Sequence, residues 1–593
     1  MKKTFYYIPD KINHKIIHTE YQKNLEVDIR MKNISMLKIA VSIILLLIIA
    51  INCTLAAGCN FSLDIIEQSD NSNNINSPGE NIIDRGPVNG GTLNMFSTVP
   101  DTLNPLLTNN IHVHNFSALI FESLVKLDSA QNPVPYLAEN WEVSDNALEW
   151  IFHLRKNVLW HNGDSFTASD VKYSFDIIKS SFSNSVYNIN VRNVKNCEIL
   201  DENTIKFTLF VPDSFTAEKM NFPVISEKHY GGLGEIKSAG MITPVGTGPY
   251  KFESMEKDEL IILKANPDWW NRKETGSFAA TPYISFVNIK LYETKEDIYN
   301  AFESKNVDFI PVQKDQSYKY HGRTDINIYK FPGRNFEFIA FNLSNPVLSD
   351  INVRKAISYA IDRFDIMKNV LPDKVLLSDI PVIPGTWLNE GISIDYRYPD
   401  KAVEVLENSG WRLSSNRWSK YMNGRTYYLD FELVVNEDNS DRLIVAKKIQ
   451  EQLKDIGINI SIKELSWDEK MKNINNKKFD MAFMGVYISR CPDMSFLYSS
   501  QKRYAREEEA YNVTGYENID VDNYLNKILT ELDPMKKKAY FINMKQIISE
   551  ELPYIGLYFY YDTIIYHKNI RGVSNPHVWD PLMNIPEWYI PGY

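Results

Sequence analysis

The sequence predicts a mixed α/β fold for the main body of this 593-residue chain, because two kinds of apolar periodicity alternate along it. Over residues 205–209 apolar side chains alternate with Lys and Thr, which is typical of a half-buried strand. Residues 353–361 carry apolar side chains at i, i+3, i+4, i+7 and i+8 behind Asp350, which predicts a capped helix. Over residues 449–462 a helical spacing ends at Gly457 and a strand-like alternation follows.

The composition of the chain excludes several classes of protein. Hydrophobic residues make up 44% of it and charged residues 23%, which is close to soluble globular averages and excludes a disordered, collagen-like or multi-span membrane protein. The formal net charge of -11 argues against nucleic acid as a partner, since phosphate backbones are bound by concentrated Lys and Arg. Aromatic residues make up 12% of the chain, and aromatic side chains supply flat walls for ligand pockets.

One N-terminal stretch predicts an exported and lipid-anchored chain. Residues 39–51 are apolar except for one Ser, basic residues precede them, and Leu-Ala-Ala-Gly-Cys follows at 55–59. A basic region, an apolar run and small residues before a cleavage point are the parts of a secretory signal. The layout resembles a bacterial lipoprotein signal, which implies that residues 1–58 are removed and that Cys59 carries lipid, palmitate being the expected type. A transmembrane anchor over 37–58 is the alternative, and both place the body at the extracellular face of the membrane.

Residues 59–89 are predicted to be a flexible tether. They are rich in Asn, Ser, Asp and Gly, a composition that cannot bury enough apolar surface to fold. Such a segment has a root-mean-square reach on the order of 30 Å. In the body beyond it, Cys197 and Cys491 are the remaining cysteines, and a disulfide between them is possible in an oxidising compartment.

A search for catalytic motifs finds none, which by itself does not exclude an enzyme, and no resident metal or cofactor is expected. No GxSxG elbow, HExxH helix, Walker loop or GxGxxG segment after a strand is present. The Gly-rich segment 246–250 lacks the Lys of a phosphate cradle and is interpreted as a backbone turn. His112 and His114 could direct imidazoles at a metal chelate, or they could be ordinary helix-start or solvent-facing histidines. The second interpretation is favoured, because no further ligand is identifiable nearby.

A series of short segments, in a fixed order, resembles one family of transport proteins. These segments are Gly-Thr-Leu at 91–93, Asp-Thr-Leu-Asn-Pro at 101–105, Glu-Ser-Leu-Val at 122–125, Pro-Tyr-Leu-Ala-Glu-Asn-Trp at 135–141, Phe-His-Leu-Arg at 152–155, Trp-His-Asn-Gly-Asp at 160–164, Phe-Thr-Ala-Ser-Asp-Val at 166–171, Gly-Thr-Gly-Pro-Tyr at 246–250, Val-Arg-Lys-Ala at 353–356, Ala-Ile-Asp-Arg at 360–363 and Ile-Gly-Ile at 456–458. Together they resemble the extracellular solute-binding proteins of the peptide, oligopeptide and nickel class (bacterial solute-binding protein family 5), which feed ABC transporters. The resemblance covers residue 90 to the C-terminus.

The resemblance implies a three-lobed clamp of the periplasmic-binding-protein type, with two lobes that close over the ligand and an extra lobe that enlarges the cleft. Lobe I is expected to be discontinuous, from residues 90–125, 241–340 and 566–593. Lobe II is expected over 126–240 and lobe III over 341–565. The function implied is capture of a ligand by hinge closure, without a covalent step.

The resemblance also implies where the ligand is held. Dipeptide-binding members anchor the peptide ammonium on an Asp shortly after a Gly-Trp pair, whereas here Ser stands at that position and Arg490 beside it. The Arg that captures a dipeptide carboxylate has no counterpart at 434–438, so longer peptides held through their backbones are the expected ligands. By family position, the substrate-binding residues are predicted to be Asn109, Asn110, Trp387, Asn436, Trp467, Gly485, Tyr487, Ser489 and Arg490. For Trp387 and Trp467 a role in core or lobe packing is an equal alternative, and Arg490 could be a solvated rim charge.

From the resemblance we expect the substrate-binding component of an ABC importer, held at the membrane by its N-terminal lipid. It would act as a monomer, capture oligopeptides and deliver them to a permease driven by an ATPase. A binding protein for a metal chelate of the nickel or haem type is the first alternative, and a receptor for a signalling peptide is another. A peptide hydrolase is the alternative from a different class, but no nucleophile and base pair supports it.

Overall fold

The structure is a computed structural model that describes residues 86–592 except 181–183, 232–241, 276–278, 313–316, 390–396 and 501–511. The predicted signal over 1–58, the lipidation site Cys59 and the tether up to residue 85 lie outside the described residues. In the part of the chain that is described, no helix is both long and apolar enough to cross a bilayer.

Strands and helices alternate along the body, and the mixed α/β prediction is confirmed. The strands are β1 (Thr92–Ser97), β2 (Val125–Leu127), β3 (Pro133–Pro135), β4 (Ala138–Val143), β5 (Glu149–Leu154), β6 (Val194–Asp201), β7 (Thr204–Leu209), β8 (Tyr250–Glu256), β9 (Leu260–Ala265), β10 (Phe286–Leu291), β11 (Phe309–Val312), β12 (Ile326–Phe341), β13 (Val375–Leu377), β14 (Arg412–Ser414), β15 (Arg417–Met422), β16 (Arg425–Tyr428), β17 (Asp430–Asn436), β18 (Asn459–Leu465), β19 (Met481–Tyr487) and β20 (Tyr554–His567). The helices are α1 (Ile111–Ser117), α2 (Ala168–Lys179), α3 (Asn188–Val191), α4 (Thr216–Lys219), α5 (Glu227–Tyr230), α6 (Lys295–Glu303), α7 (Ile351–Ala360), α8 (Arg363–Asp365, continued by a π turn at Ile366–Val370), α9 (Pro399–Asn408), α10 (Ser440–Lys454), α11 (Trp467–Asn475), α12 (Ser495–Tyr498), α13 (Ile519–Thr530) and α14 (Pro534–Glu551).

The three local patterns in the sequence form the elements that they predict. Residues 205–209 lie in β7, with alternate side chains buried. Asp350 caps α7 by accepting a hydrogen bond from the backbone N–H of Asn352. Helix α10 ends before Gly457, which takes the left-handed conformation with φ of 81° and leads into β18.

Two four-stranded sheets form the N-terminal half of the body. The first has the order β1-β10-β9-β8, with β1 parallel to β10, and it lies in predicted lobe I. The second has the order β4-β5-β7-β6, is antiparallel throughout and lies in predicted lobe II. One continuous hydrophobic cluster serves both sheets, since it contains Leu93, Phe152 and Phe207.

A larger sheet has the order β11-β20-β12-β19-β17-β18, with β13 paired to β20. Residues 326–332 of β12, in predicted lobe I, pair with the end of β20 beside β11. Residues 335–341 pair with β19 of predicted lobe III, although the predicted boundary assigns residues up to 340 to lobe I. A register shift between Pro332 and Phe336 separates the two halves of β12. The long strands β12 and β20 therefore carry the chain from one predicted lobe to the other.

Two smaller features complete the description of the body. The segment 246–250 bends before β8, and a Cβ on Gly246 would lie 1.8 Å from the carbonyl oxygen of Ile120, so this turn packs directly on backbone. The disulfide considered between Cys197 and Cys491 is not formed, because both thiols are free and buried. The lobe boundaries remain a prediction.

Candidate functional site

A cavity of about 1200 Å³ lies where segments of all three predicted lobes meet. Its walls come from the start of α1, from the segment 186–193, from the end of β19 and from the C-terminal segment 577–587. Because separate segments of the chain form its walls, a relative movement of the lobes would change its size.

Helix α1 sits in the cavity wall because of the polar loop in front of it. Asn110 caps the helix by accepting a hydrogen bond from the backbone N–H of His112 at 3.0 Å, and its amide donates to Thr98 at 2.8 Å. Asp101 braces the loop by accepting from the backbone N–H of Asn109 at 2.9 Å. The exposed Asn109 lines the cavity, whereas the amide of Asn110 is occupied in the cap.

The end of β19 supplies the predicted residues Tyr487, Ser489 and Arg490, and all three line the cavity. Tyr487 is 66% exposed, and the guanidinium carbon of Arg334 lies 4.1 Å from its ring centroid. The hydroxyl of Ser489 donates to the carbonyl of Cys491, so it is engaged within the loop.

Arg490 carries a charge that the described residues leave without a counterion. Its backbone carbonyl accepts a hydrogen bond from the amide of Gln131 at 2.8 Å, which ties its loop to predicted lobe II. Its exposed guanidinium makes no hydrogen bond or ion pair within the described part of the chain. Burial lowers the pKa of His114, and the nearby charge of Arg490 lowers it further. Arg490 and His114 therefore lie near each other in the cavity wall.

The other predicted site residues are not among those that line the cavity. Trp387 packs in a core cluster of predicted lobe III, and its backbone N–H donates to the carbonyl of Ala130 at 2.9 Å. Trp467 is 43% exposed at the start of α11, with the Lys470 ammonium 5.4 Å from its ring centroid. Trp387 therefore packs between predicted lobes II and III, and its contact with a ligand stays a prediction.

Asn436 and Gly485 belong to a buried polar cluster beneath β19, together with Glu337, Arg442 and Lys470. Arg442 binds Glu337 through two hydrogen bonds of 2.7 and 3.1 Å and donates to Asn436 at 2.7 Å. The ammonium of Lys470 donates to the same Asn436 oxygen at 3.2 Å. A Cβ on Gly485 would lie 2.2 Å from a guanidinium nitrogen of Arg442, so the bare glycine makes room for this ion pair. These side chains organise the strand whose end forms the cavity wall.

The family resemblance did not point to several cavity residues that the structure reveals. Arg334 lines the cavity next to the register shift in β12, and its side chain donates to the carbonyl of Ile488 at 2.5 Å. Pro332 and Gly333 inside a strand-like run are signals that could have indicated this irregularity. Asp128 and His577 also line the cavity, and no local motif marks either of them.

The two histidines of α1 have no further metal-ligating side chains grouped with them in the part of the chain that is described. No group of three or more His, Cys, Asp and Glu side chains is placed there to hold a metal ion. His114 makes a 3.1 Å hydrogen bond with the carbonyl of Thr108, and burial lowers the pKa of His112. His112 lies at the second position of α1 and His114 in its last turn.

Comparisons with known proteins agree with this architecture. The oligopeptide-binding protein AppA of Bacillus subtilis is 25% identical over 519 residues, covering 85% of this chain and 92% of AppA. Its structure with a nonapeptide matches with a TM-score of 0.58 at 22% identity, covering 85% of this chain and 99% of that one. The dipeptide-binding protein of Escherichia coli is 27% identical over 420 residues, covering 65% of this chain and 74% of the relative. NikZ of Campylobacter jejuni in complex with Ni(L-His) matches with a TM-score of 0.60 at 24% identity, covering 85% of this chain and all of NikZ.

The match to a family profile spans most of the body. The profile of the bacterial extracellular solute-binding proteins, family 5, matches residues 132–506, which is more than half of the chain. The solved structures of NikZ and AppA have the same fold over 85% of this chain. Members of this family serve transporters as binding components and are not enzymes. The chain therefore belongs to family 5 of the bacterial extracellular solute-binding proteins.

Proposed function

We propose that this protein is the lipid-anchored, extracellular component of an ABC importer that captures oligopeptides. The observation that carries the proposal is a cavity of about 1200 Å³ that contains a guanidinium, Arg490, without a counterion among the described residues. Pockets for drug-sized ligands are typically about 300 to 1000 Å³, so this volume suits a ligand of several residues. A cleft arginine favours a ligand with an anionic group, such as a peptide carboxylate.

Capture by closure is supported by contacts between the predicted lobes. The backbone N–H of Ser214 donates to the carbonyl of Leu529 at 2.7 Å, and the Lys537 ammonium lies 4.4 Å from the ring centroid of Phe215. The side-chain amide of Gln131, in predicted lobe II, donates to the carbonyl of Arg490, in predicted lobe III. Opening of the cleft would break these contacts, while β12 and β20 would bend at the register shift. A ligand that binds both walls shifts the equilibrium toward the closed state.

Arg490→Ala is the variant that tests the proposal. Binding is measured by calorimetry, with a pool of random hexapeptides and with the same pool amidated at the C-terminus. Loss of a charged hydrogen bond costs about 1 to 3 kcal/mol, so we expect roughly five- to 150-fold weaker binding of the unmodified pool. Arg412→Ala is the matched control, because Arg412 is an exposed arginine of the same predicted lobe that contacts only backbone carbonyls.

A metal chelate is the second candidate ligand. It is favoured by His114, which lines the cavity, and by the likeness to NikZ in complex with Ni(L-His). Native mass spectrometry with nickel and L-histidine, run beside the hexapeptide pool, separates the two. Retention of the nickel complex without any peptide would overturn the oligopeptide proposal in favour of the chelate. Capture for nutrition and capture for signalling use the same site chemistry.

A further inference from the structure

A buried imidazole without hydrogen-bond partners lines the cavity. His577 is 6% exposed, and neither of its ring nitrogens has a hydrogen-bond partner within the described part of the chain. Buried polar side-chain atoms nearly always have a partner, and leaving one unpaired costs about as much as a lost hydrogen bond. An orphaned imidazole in the wall of a ligand cavity is therefore a candidate contact for the ligand itself.

The backbone holds this imidazole next to an aspartate. The N–H of Asp580 donates to the carbonyl of His577 at 3.0 Å, and the N–H of His577 donates back at 3.4 Å. Trp579, between them, belongs to a core cluster of predicted lobe III, with Arg334 5.6 Å from its ring centroid. The turn is thus anchored by buried packing, and the positions of the two polar residues are set before any ligand binds.

A second aspartate joins the cluster from the opposite end of the body. Asp128 lines the cavity, and its carboxylate accepts hydrogen bonds of 2.8 and 3.0 Å from the backbone and amide of Asn132. The charges of Asp128 and Asp580 both act on His577, whereas that of Lys126 opposes them. Lys126 lies 3.7 Å from Asp580 and is 42% exposed. Two carboxylates against one ammonium leave a net charge of about -1 beside the imidazole.

The protonation of His577 agrees with a role in binding a cation. Burial lowers its pKa, although the two carboxylates oppose the shift. The neutral imidazole has one nitrogen that donates and one that accepts a hydrogen bond. An acceptor nitrogen beside carboxylates matches an ammonium or guanidinium group, which carries only donors.

We propose that His577, Asp128 and Asp580 form a subsite that receives a cationic group of the ligand, either a peptide ammonium or a Lys or Arg side chain. The assignment rests on the proposed function. Arg490 lies elsewhere in the same cavity, so the cavity wall carries both positive and negative groups. Such a wall favours a zwitterionic peptide over a neutral or purely anionic one.

The test compares two pools of random hexapeptides made without Lys and Arg, one with free N-termini and one N-acetylated. Calorimetry with the wild-type protein is expected to give at least tenfold tighter binding of the free-amine pool. In the double variant Asp128→Asn and Asp580→Asn this ratio should fall below about threefold, while the acetylated pool binds as it does to wild type. A third pool, N-acetylated but containing Lys, should recover tight binding to wild type if a side chain can replace the terminus.

Two further variants guard against a change in folding. Asp176→Asn with Asp520→Asn changes the net charge equally outside the cavity and should keep the wild-type ratio. His577→Phe replaces the imidazole by a somewhat larger apolar ring without nitrogens and should weaken binding of the free-amine pool at least fivefold, with circular dichroism matching that of wild type.

The outcomes separate the subsite from the proposed function. A wild-type protein that binds both N-terminal forms equally, or a double variant that keeps the tenfold ratio, overturns the subsite and leaves oligopeptide capture standing. A wild-type protein that binds none of the pools overturns the proposed function, and the cationic peptide subsite with it.

Discussion

Replacing Lys470 by Met removes a buried cation from the polar cluster beneath β19. Lys470 is fully buried, and its ammonium donates to the carbonyl of Phe483 at 2.5 Å as well as to Asn436. Burial lowers the pKa of Lys470 to about 7, and the charge of Arg442 lowers it further. The wild-type protein therefore carries a lysine whose protonation is much less favourable in the folded state than in the unfolded one.

The direction of the pH effect follows from the two protonation equilibria. An unfolded lysine titrates near pH 10.5, well above the folded value of about 7. Between these values the unfolded state binds more protons, so the free energy of unfolding of wild type rises with pH, and below pH 7 it is at its lowest. The separation of the two pKa values corresponds to about 4 to 5 kcal/mol at acid pH. About 2.5 kcal/mol of this penalty is relieved between pH 6.5 and pH 9.

Lys470→Met loses the hydrogen bond to Phe483 at every pH, which costs about 1 to 3 kcal/mol. We therefore expect the variant to be more stable than wild type by about 2 kcal/mol at pH 6.5 and about equal to it at pH 9. Urea unfolding followed by circular dichroism at pH 6.5, 7.5, 8.5 and 9 measures the difference. Lys472→Met, on the exposed part of the same helix, is the matched control and should stay within about 0.5 kcal/mol of wild type.

A difference in stability between Lys470→Met and wild type that stays constant from pH 6.5 to pH 9 would refute this reasoning. It would mean that the ammonium keeps its proton in the folded protein over the whole range. A difference that grows with pH would contradict the sign of the linkage as well.

Gly246→Ala should lower the free energy of unfolding by about 1 to 3 kcal/mol or more, because its Cβ would meet the carbonyl oxygen of Ile120 at 1.8 Å. Chemical denaturation measures this, and a variant as stable as wild type would contradict the close backbone contact. Cys59→Ala should move the protein from the membrane fraction to the soluble fraction and abolish incorporation of labelled palmitate. Labelling that persists in this variant would show the lipidation prediction to be wrong.

Local elements could be predicted from the sequence because their determinants lie within a few residues. Asp350 and the apolar residues behind it specify α7 in one stretch, and Gly457 marks the change from helix to strand in another. Family position led to the prediction of Asn109, Tyr487, Ser489 and Arg490 as substrate-binding residues, and all four line the cavity, since the family's segments keep their order along the chain.

The surroundings of Asn436 and His577 depend on contacts between distant parts of the chain, which no local pattern encodes. Asn436 is predicted to contact the ligand; in the structure its side-chain oxygen accepts a hydrogen bond from Arg442, whose partner Glu337 is 105 residues away along the chain. The sequence did not indicate His577 as a site residue, because Asp128, the aspartate that completes its surroundings, lies near the other end of the body.

The hydrophobic cluster that serves the first two sheets has a consequence for the order of folding. It contains Leu93, near the beginning of the body, and Trp588, five residues before the last one. The first lobe to be synthesised therefore cannot complete its core until the whole chain is available, and contacts of such high sequence separation form slowly. Completion of this core therefore couples the two ends of the body, so that loss of the C-terminal segment would leave the core of the first two sheets unfinished.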